Sequence, residues 1–88
     1  MYIPDAFSPN GDGKNDIFLP RGEYIRQYDL YIYDRWGMRI FHSSDQTQGW
    51  DGKAGGIICQ EDTYVYLIEI TDNLGKKHSY LGKVTLVK

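Results

Sequence analysis

The sequence is poor in cysteine, with Cys59 alone among 88 residues. A single thiol excludes an internal disulfide, so the fold must rest on its core or on a bound metal. Cys59, in Gly56-Ile57-Ile58-Cys59, reads as a small buried hydrophobe. A catalytic thiol needs a histidine partner, and neither His42 nor His78 sits in a supporting motif. No run of Lys and Arg exceeds two residues, and the net charge is −2 with a pI near 5.5. That removes the electrostatic footprint of a nucleic-acid binder and strong attraction to an anionic bilayer. No apolar run approaches the roughly 18 residues that span a bilayer, so membrane insertion is not expected. Pro4 and Asp5 interrupt the start, and no signal-peptide h-region follows. Helical spacing of apolar residues is also missing. The nearest stretch, Gly22 to Gln27, is too short.

The chain is rich in turn formers and aromatics, with ten Gly, and eight Tyr within an aromatic fraction of 15%. Tyr and β-branched residues suit pleated, half-buried surfaces. Ile3 to Asp16 reads as a loop, and Ile17-Phe18-Leu19 as a short edge strand closed by Pro20-Arg21-Gly22. Tyr28 to Trp36 is a strong strand, with Leu30, Ile32 and Trp36 on one face and Tyr31, Tyr33 and Arg35 on the other. Gly37 turns the chain, and Met38 to His42 returns as the second arm of a hairpin. Thr63 to Thr71 is apolar on both faces, as in a central strand. Asp72-Asn73-Leu74-Gly75 is a hairpin loop, and Lys77 to Val87 the last strand. Four to seven short strands with turn signals between them predict one all-β domain over residues 1–88, a β-sandwich. Trp36, Trp50, Tyr64, Tyr66, Ile68, Val84 and Leu86 are expected in its core.

Two polar clusters invite a chemical reading. Ser8-Pro9-Asn10-Gly11-Asp12-Gly13-Lys14-Asn15-Asp16 resembles the first half of a calcium loop, where oxygen ligands alternate and a Gly allows the sharp turn. With Asp12 at the fifth loop position, Asn10 and Asp16 fall at the third and ninth. Ser8 then stands where Asp is expected, and Leu19 where a bidentate Glu is expected. A full EF-hand is excluded, and Asn10, Asp12 and Asp16 remain candidate calcium ligands. The competing reading is a loop of Asx turns whose side chains satisfy their own backbone. Trp50-Asp51-Gly52 reads as a core Trp followed by a turn, against an alternative as a platform for a sugar ring. The carboxylates Asp29, Asp34, Glu61, Asp62, Glu69 and Asp72 are scattered. No phosphate-cradling loop, zinc spacing or nucleophile elbow is present. No catalytic role and no other cofactor are expected.

Taken together, Ala6-Phe7-Ser8-Pro9-Asn10-Gly11-Asp12-Gly13, Tyr33-Asp34-Arg35-Trp36-Gly37, Trp50-Asp51-Gly52, Tyr64-Val65-Tyr66 and Gly82-Lys83-Val84-Thr85-Leu86 closely resemble the gliding-motility-associated C-terminal domain of Bacteroidetes proteins. The later half is also similar to the immunoglobulin-like domain of flagellar hook-capping proteins, which implies an immunoglobulin-like antiparallel β-sandwich of about seven strands. The chain departs from the pattern before Tyr64-Val65-Tyr66. The family usually has a Gly there, often after Pro, and Glu61-Asp62-Thr63 stands in its place.

The resemblance implies a C-terminal sorting module on a larger exported protein. It would direct an N-terminal cargo through the type IX secretion system, across the periplasm, to the cell surface or outside. The outer-membrane secretion machinery and the covalently attached cargo are the implied partners. The last strand, Gly82, Lys83, Val84, Thr85, Leu86 and Val87, is the candidate recognition element, because an exposed edge strand can pair with a partner. The alternative is a surface adhesion or carbohydrate-binding β-sandwich, which three or more exposed aromatics on one sheet face would favour.

Overall fold

The computed structural model describes residues 1–9, 11 and 16–87. It contains seven strands and, among the described residues, no helix. They are β1 (Ala6–Phe7), β2 (Ile25–Tyr33), β3 (Arg39–Ser43), β4 (Lys53–Ala54), β5 (Ile57–Ile58), β6 (Asp62–Asp72) and β7 (Lys77–Leu86). Five form one sheet in the order β1-β7-β6-β2-β3, and β4 and β5 pair separately. The fold is the expected all-β sandwich, with one side much larger than the other. Strand β6 is central, which explains why both of its faces are apolar: Tyr64, Ile68 and Ile70 are buried, while Val65 and Leu67 are half-buried on the outer face.

Alternation sets the core. Tyr28, Leu30 and Ile32 of β2 stand beside Ile70, Ile68 and Tyr66 of β6 in register, and Tyr80, Gly82 and Val84 of β7 continue the same face. The smaller layer closes over it through Phe18 and Trp50, both fully buried. Their backbones are joined by two hydrogen bonds, Phe18 N–H to Trp50 O at 2.8 Å and Trp50 N–H to Phe18 O at 2.9 Å. Trp50 packs against Phe7 and edge-on to Tyr64, with ring centroids 5.2 and 5.0 Å apart, and its Nε1–H donates to Lys53 O. The expected Ile17–Leu19 strand is therefore a single bridge at Phe18.

Two expected core residues are placed differently. Trp36 is 81% exposed, because β2 ends at Tyr33 and Trp36 lies in the turn beyond it. Tyr66 is half-buried: its ring packs on Phe18 and extends over Gly82. A Cβ at Gly82 would come within 2.4 Å of the Tyr66 hydroxyl, so this glycine in mid-strand makes room for a ring. One pairing also departs from the antiparallel pattern. Strand β1 runs parallel to β7, with Ala6 beside Thr85 and Phe7 beside Leu86.

Candidate functional site

The last strand is not a free edge along its whole length. Thr85 N–H donates to Asp5 O and Val87 N–H to Phe7 O, both at 2.9 Å, so β1 covers its C-terminal end. Val84 and Leu86 are fully buried in the core. Of the six candidate recognition residues, Gly82 holds Tyr66, Val84 and Leu86 anchor the core, and Thr85 and Val87 are paired. Lys83 alone is exposed without a backbone neighbour on the β1 side among the described residues. Upstream of it, Lys77 to Leu81 are bounded by β6 on one side and are open on the other. Sequence reasoning placed the edge at the terminus because β1, two residues long, carries no strand signal of its own.

The sheet's outer face bears a row from His42 through Tyr31 and Leu67 to Leu81, one residue from each strand. The Tyr31 ring stacks on His42 at 4.7 Å, and the Arg39 guanidinium lies 5.8 Å from its centre. Tyr33 sits in the next row, beside Val65. This face thus offers two half-buried tyrosines, fewer than a sugar platform of three exposed rings.

Of the candidate calcium ligands, Asn10 and Asp12 lie outside the described residues. Asp16 Oδ1 accepts the Gly11 amide at 3.0 Å, a bond that runs back across the loop. Among the described residues, no three His, Cys, Asp or Glu side chains gather in metal-binding geometry. Trp50 is the core residue expected, and Asp51 Oδ1 accepts the Lys53 amide of the turn that follows. Cys59 is half-buried against the core, and its amide donates to Gly52 O at 2.7 Å.

The departure before Tyr64 has a local explanation. Asp62 Oδ1 accepts the Thr63 amide at 2.8 Å, and Oδ2 takes Nε–H and Nη2–H of Arg35 at 2.9 and 2.6 Å. The Thr63 amide, with the Arg35 guanidinium second, holds the Asp62 carboxyl below the usual carboxylate range. A charged clamp between the β2–β3 turn and the start of β6 stands where the family usually has glycine. Beside it, Tyr64 donates its hydroxyl to Gln60 O at 2.7 Å, and burial pushes its pKa up to about 12. A groove of about 860 Å³ runs between β2 and the Ser44–Thr47 loop. Its carboxylates are engaged: Asp29 by His42, and Asp45 by the amide and hydroxyl of Thr47.

The domain is a small all-β sandwich with a sealed core, two braced turns and, on the β7 side, a sheet edge that β1 covers only in part. The family model of the CHU_C type IX secretion signal domain matches residues 1–86, and the chain belongs to that family. No curated protein matches it. Membership makes it a C-terminal sorting module for type IX cargo, which is exported to the cell surface or outside.

Proposed function

We propose that the secretion machinery reads this module in its folded state, through the exposed part of β7, and that the module carries no chemistry of its own. The supporting observation is that the terminal strand is built into the core. Val84 and Leu86 are fully buried, and Thr85 and Val87 are bonded to the N-terminal segment. Pulling the terminus out as an unfolded tag would dismantle the domain, so a folded surface is the economical target. A periplasm-targeted reporter fused ahead of residues 1–88 is expected to leave a bacterium that has type IX machinery. Retention of the reporter in the periplasm, with the module folded, overturns the reading. Deleting Val84 to Lys88 is a poor probe, because it removes core residues. Lys83→Glu, at an exposed position of β7, keeps the core and alters the surface.

The loop of Asn10, Asp12 and Asp16 is read as self-bonded, on the support of the Asp16 to Gly11 contact. Its melting midpoint should then be equal in millimolar calcium and in chelator. A midpoint that climbs with calcium concentration would assign the loop a metal instead.

A further inference from the structure

We propose that the open length of β7, Lys77–Lys83, is a docking edge for an extended acidic segment of a partner protein, which joins the sheet as an added strand beside β1. The proposal rests on the reading of the module as a recognition handle and names the chemistry of what it recognises. The β6–β7 register is unbroken from Thr71↔Lys77 to Asp62↔Leu86. Because Thr85 and Val87 turn their amides toward β1, alternation turns the amides and carbonyls of Lys77, Ser79, Leu81 and Lys83 to the same side. Among the described residues, no backbone group meets them. Strand β1 stops short, since the chain before Pro4 is held elsewhere by the two hydrogen bonds between Tyr2 and Arg21. The short β1 shows that this edge accepts a strand, and the vacant stretch continues directly from it.

Side chains define the occupant. Lys77, Ser79, Leu81 and Lys83 all lie on the outer face and are exposed, Leu81 by 74%. Leu81 ends the row that runs from Tyr31 through Leu67, so an apolar residue arriving beside it would extend that row. No carboxylate among the described residues pairs with Lys77 or Lys83. A second copy of this chain fits poorly. Antiparallel self-pairing centred on Tyr80 sets Lys77 against Lys83, and parallel self-pairing sets each lysine against its twin. Edge lysines deter such pairing in general. A strand with carboxylates opposite both lysines and an apolar residue opposite Leu81 turns that repulsion into attraction.

The test has two arms. In the first, the ¹⁵N-labelled chain is titrated with a short synthetic peptide alternating glutamate and valine, and with its lysine analogue. The glutamate peptide is expected to shift the amides of Ser79, Leu81 and Lys83 and slow their hydrogen exchange, with binding that weakens as salt rises. The lysine peptide should bind only after Lys77→Glu with Lys83→Glu. In the second arm, the reporter fusion carries Ser79→Pro, which removes one outward amide and no β6–β7 bond, or Lys77→Glu with Lys83→Glu. Each should cut export at least about tenfold at an unchanged melting midpoint, while Arg39→Glu on the opposite sheet edge leaves export intact. No protection at the edge in the first arm, or wild-type export by either folded β7 variant, overturns the proposal. If Ser79→Pro does not fold, the lysine pair decides alone. If the unmodified fusion stays in the periplasm, the sorting reading falls, and the titration still decides the edge.

Discussion

The turns at the two ends of the long hairpins are built to one plan and anchored in two ways. In the β2–β3 turn, Asp34 exchanges backbone hydrogen bonds with Met38 and Gly37, and its Oδ1 accepts the amides of Trp36 and Met38 at 2.9 Å. In the β6–β7 turn, Asp72 does the same with Lys76 and Gly75, and its Oδ1 accepts Leu74 and Lys76 at 2.9 Å. Gly37 and Gly75 have φ of 79° and 81°, the left-handed position that follows the type I turn of such hairpins. Anchorage differs. Arg35 ties the first turn to Asp62, whereas the second is tied by Asp72 Oδ2 to His78 and by the Asn73 amide to Tyr24 O. Both turns expose their tip residue, Trp36 at 81% and Leu74 at 83%. Position in the turn decides exposure here, and the size of the side chain does not.

That rule is tested hardest by the two tryptophans. Trp50→Ala empties a fully enclosed site beneath Phe7 and Tyr64 and should cost ~3–5 kcal/mol in denaturant unfolding. A loss below about 1 kcal/mol would show that Trp50 is not the keystone of the smaller layer. Next come the turn glycines. Gly37→Ala and Gly75→Ala each force an L residue into the left-handed region, at ~1–2 kcal/mol. The cost at Gly75 should be the larger, because a Cβ there meets the Arg26 guanidinium at 3.3 Å, while Gly37 faces open space. Equal losses would mean that Arg26 swings aside.

A third difference lies in acid. The His78 hydrogen bond first, then the Lys76 amide, hold the Asp72 carboxyl below its usual range. Asp62 is held down by the Thr63 amide and Arg35, and Asp45 by the hydroxyl and amide of Thr47. A carboxyl with a depressed folded-state pKa binds fewer protons folded than unfolded. Its stabilisation is therefore fully present above the ordinary value of about 3.9 and is lost as pH falls through the folded value. The melting midpoint should drop below about pH 4, and Asp72→Asn should flatten that drop. An unchanged slope in Asp72→Asn would remove Asp72 from the acid transition.

Much of the fold was legible because alternation is a strong signal in long strands. Strands β2, β6 and β7 follow Leu30-Ile32, Tyr64-Ile68-Ile70 and Val84-Leu86, and the turn formers at 34–37 and 72–75 stand where expected. What escaped was non-local. The parallel pairing of Ala6 and Phe7 with Thr85 and Leu86 joins the two ends of the chain, and a two-residue strand has no periodicity to read. The open edge escaped for the same reason, since it is defined by where β1 stops. The Arg35–Asp62 clamp needs knowledge that a turn and a distant strand start share one end of the sheet. Trp36 was assigned to the core by its alternation with Leu30 and Ile32. The signal that corrects it is the Asp34-x-x-Gly37 spacing, repeated at Asp72-x-x-Gly75, which ends the strand before the Trp.

The smallest expected effect follows from that correction. The Trp36 ring stands in solvent, with its main neighbour the Arg35 guanidinium 5.9 Å from its centre, and Arg35 is already committed to Asp62. An exposed cation–ring contact at this outer limit of length adds about 0.5 kcal/mol. The amide of residue 36 still reaches Asp34 Oδ1 whatever side chain it carries. Trp36→Ala and Leu74→Ala should therefore each change stability by no more than about 0.5 kcal/mol, although one removes an indole and the other an isobutyl group. A larger loss for Trp36→Ala alone would show that its ring helps to hold Arg35 on Asp62. In that case Arg35→Ala combined with Trp36→Ala should cost less than the sum of the single changes. If both tips are neutral, side-chain size at these positions is open to choice by something other than folding, and a tryptophan kept at a solvent-facing tip becomes a surface feature in its own right.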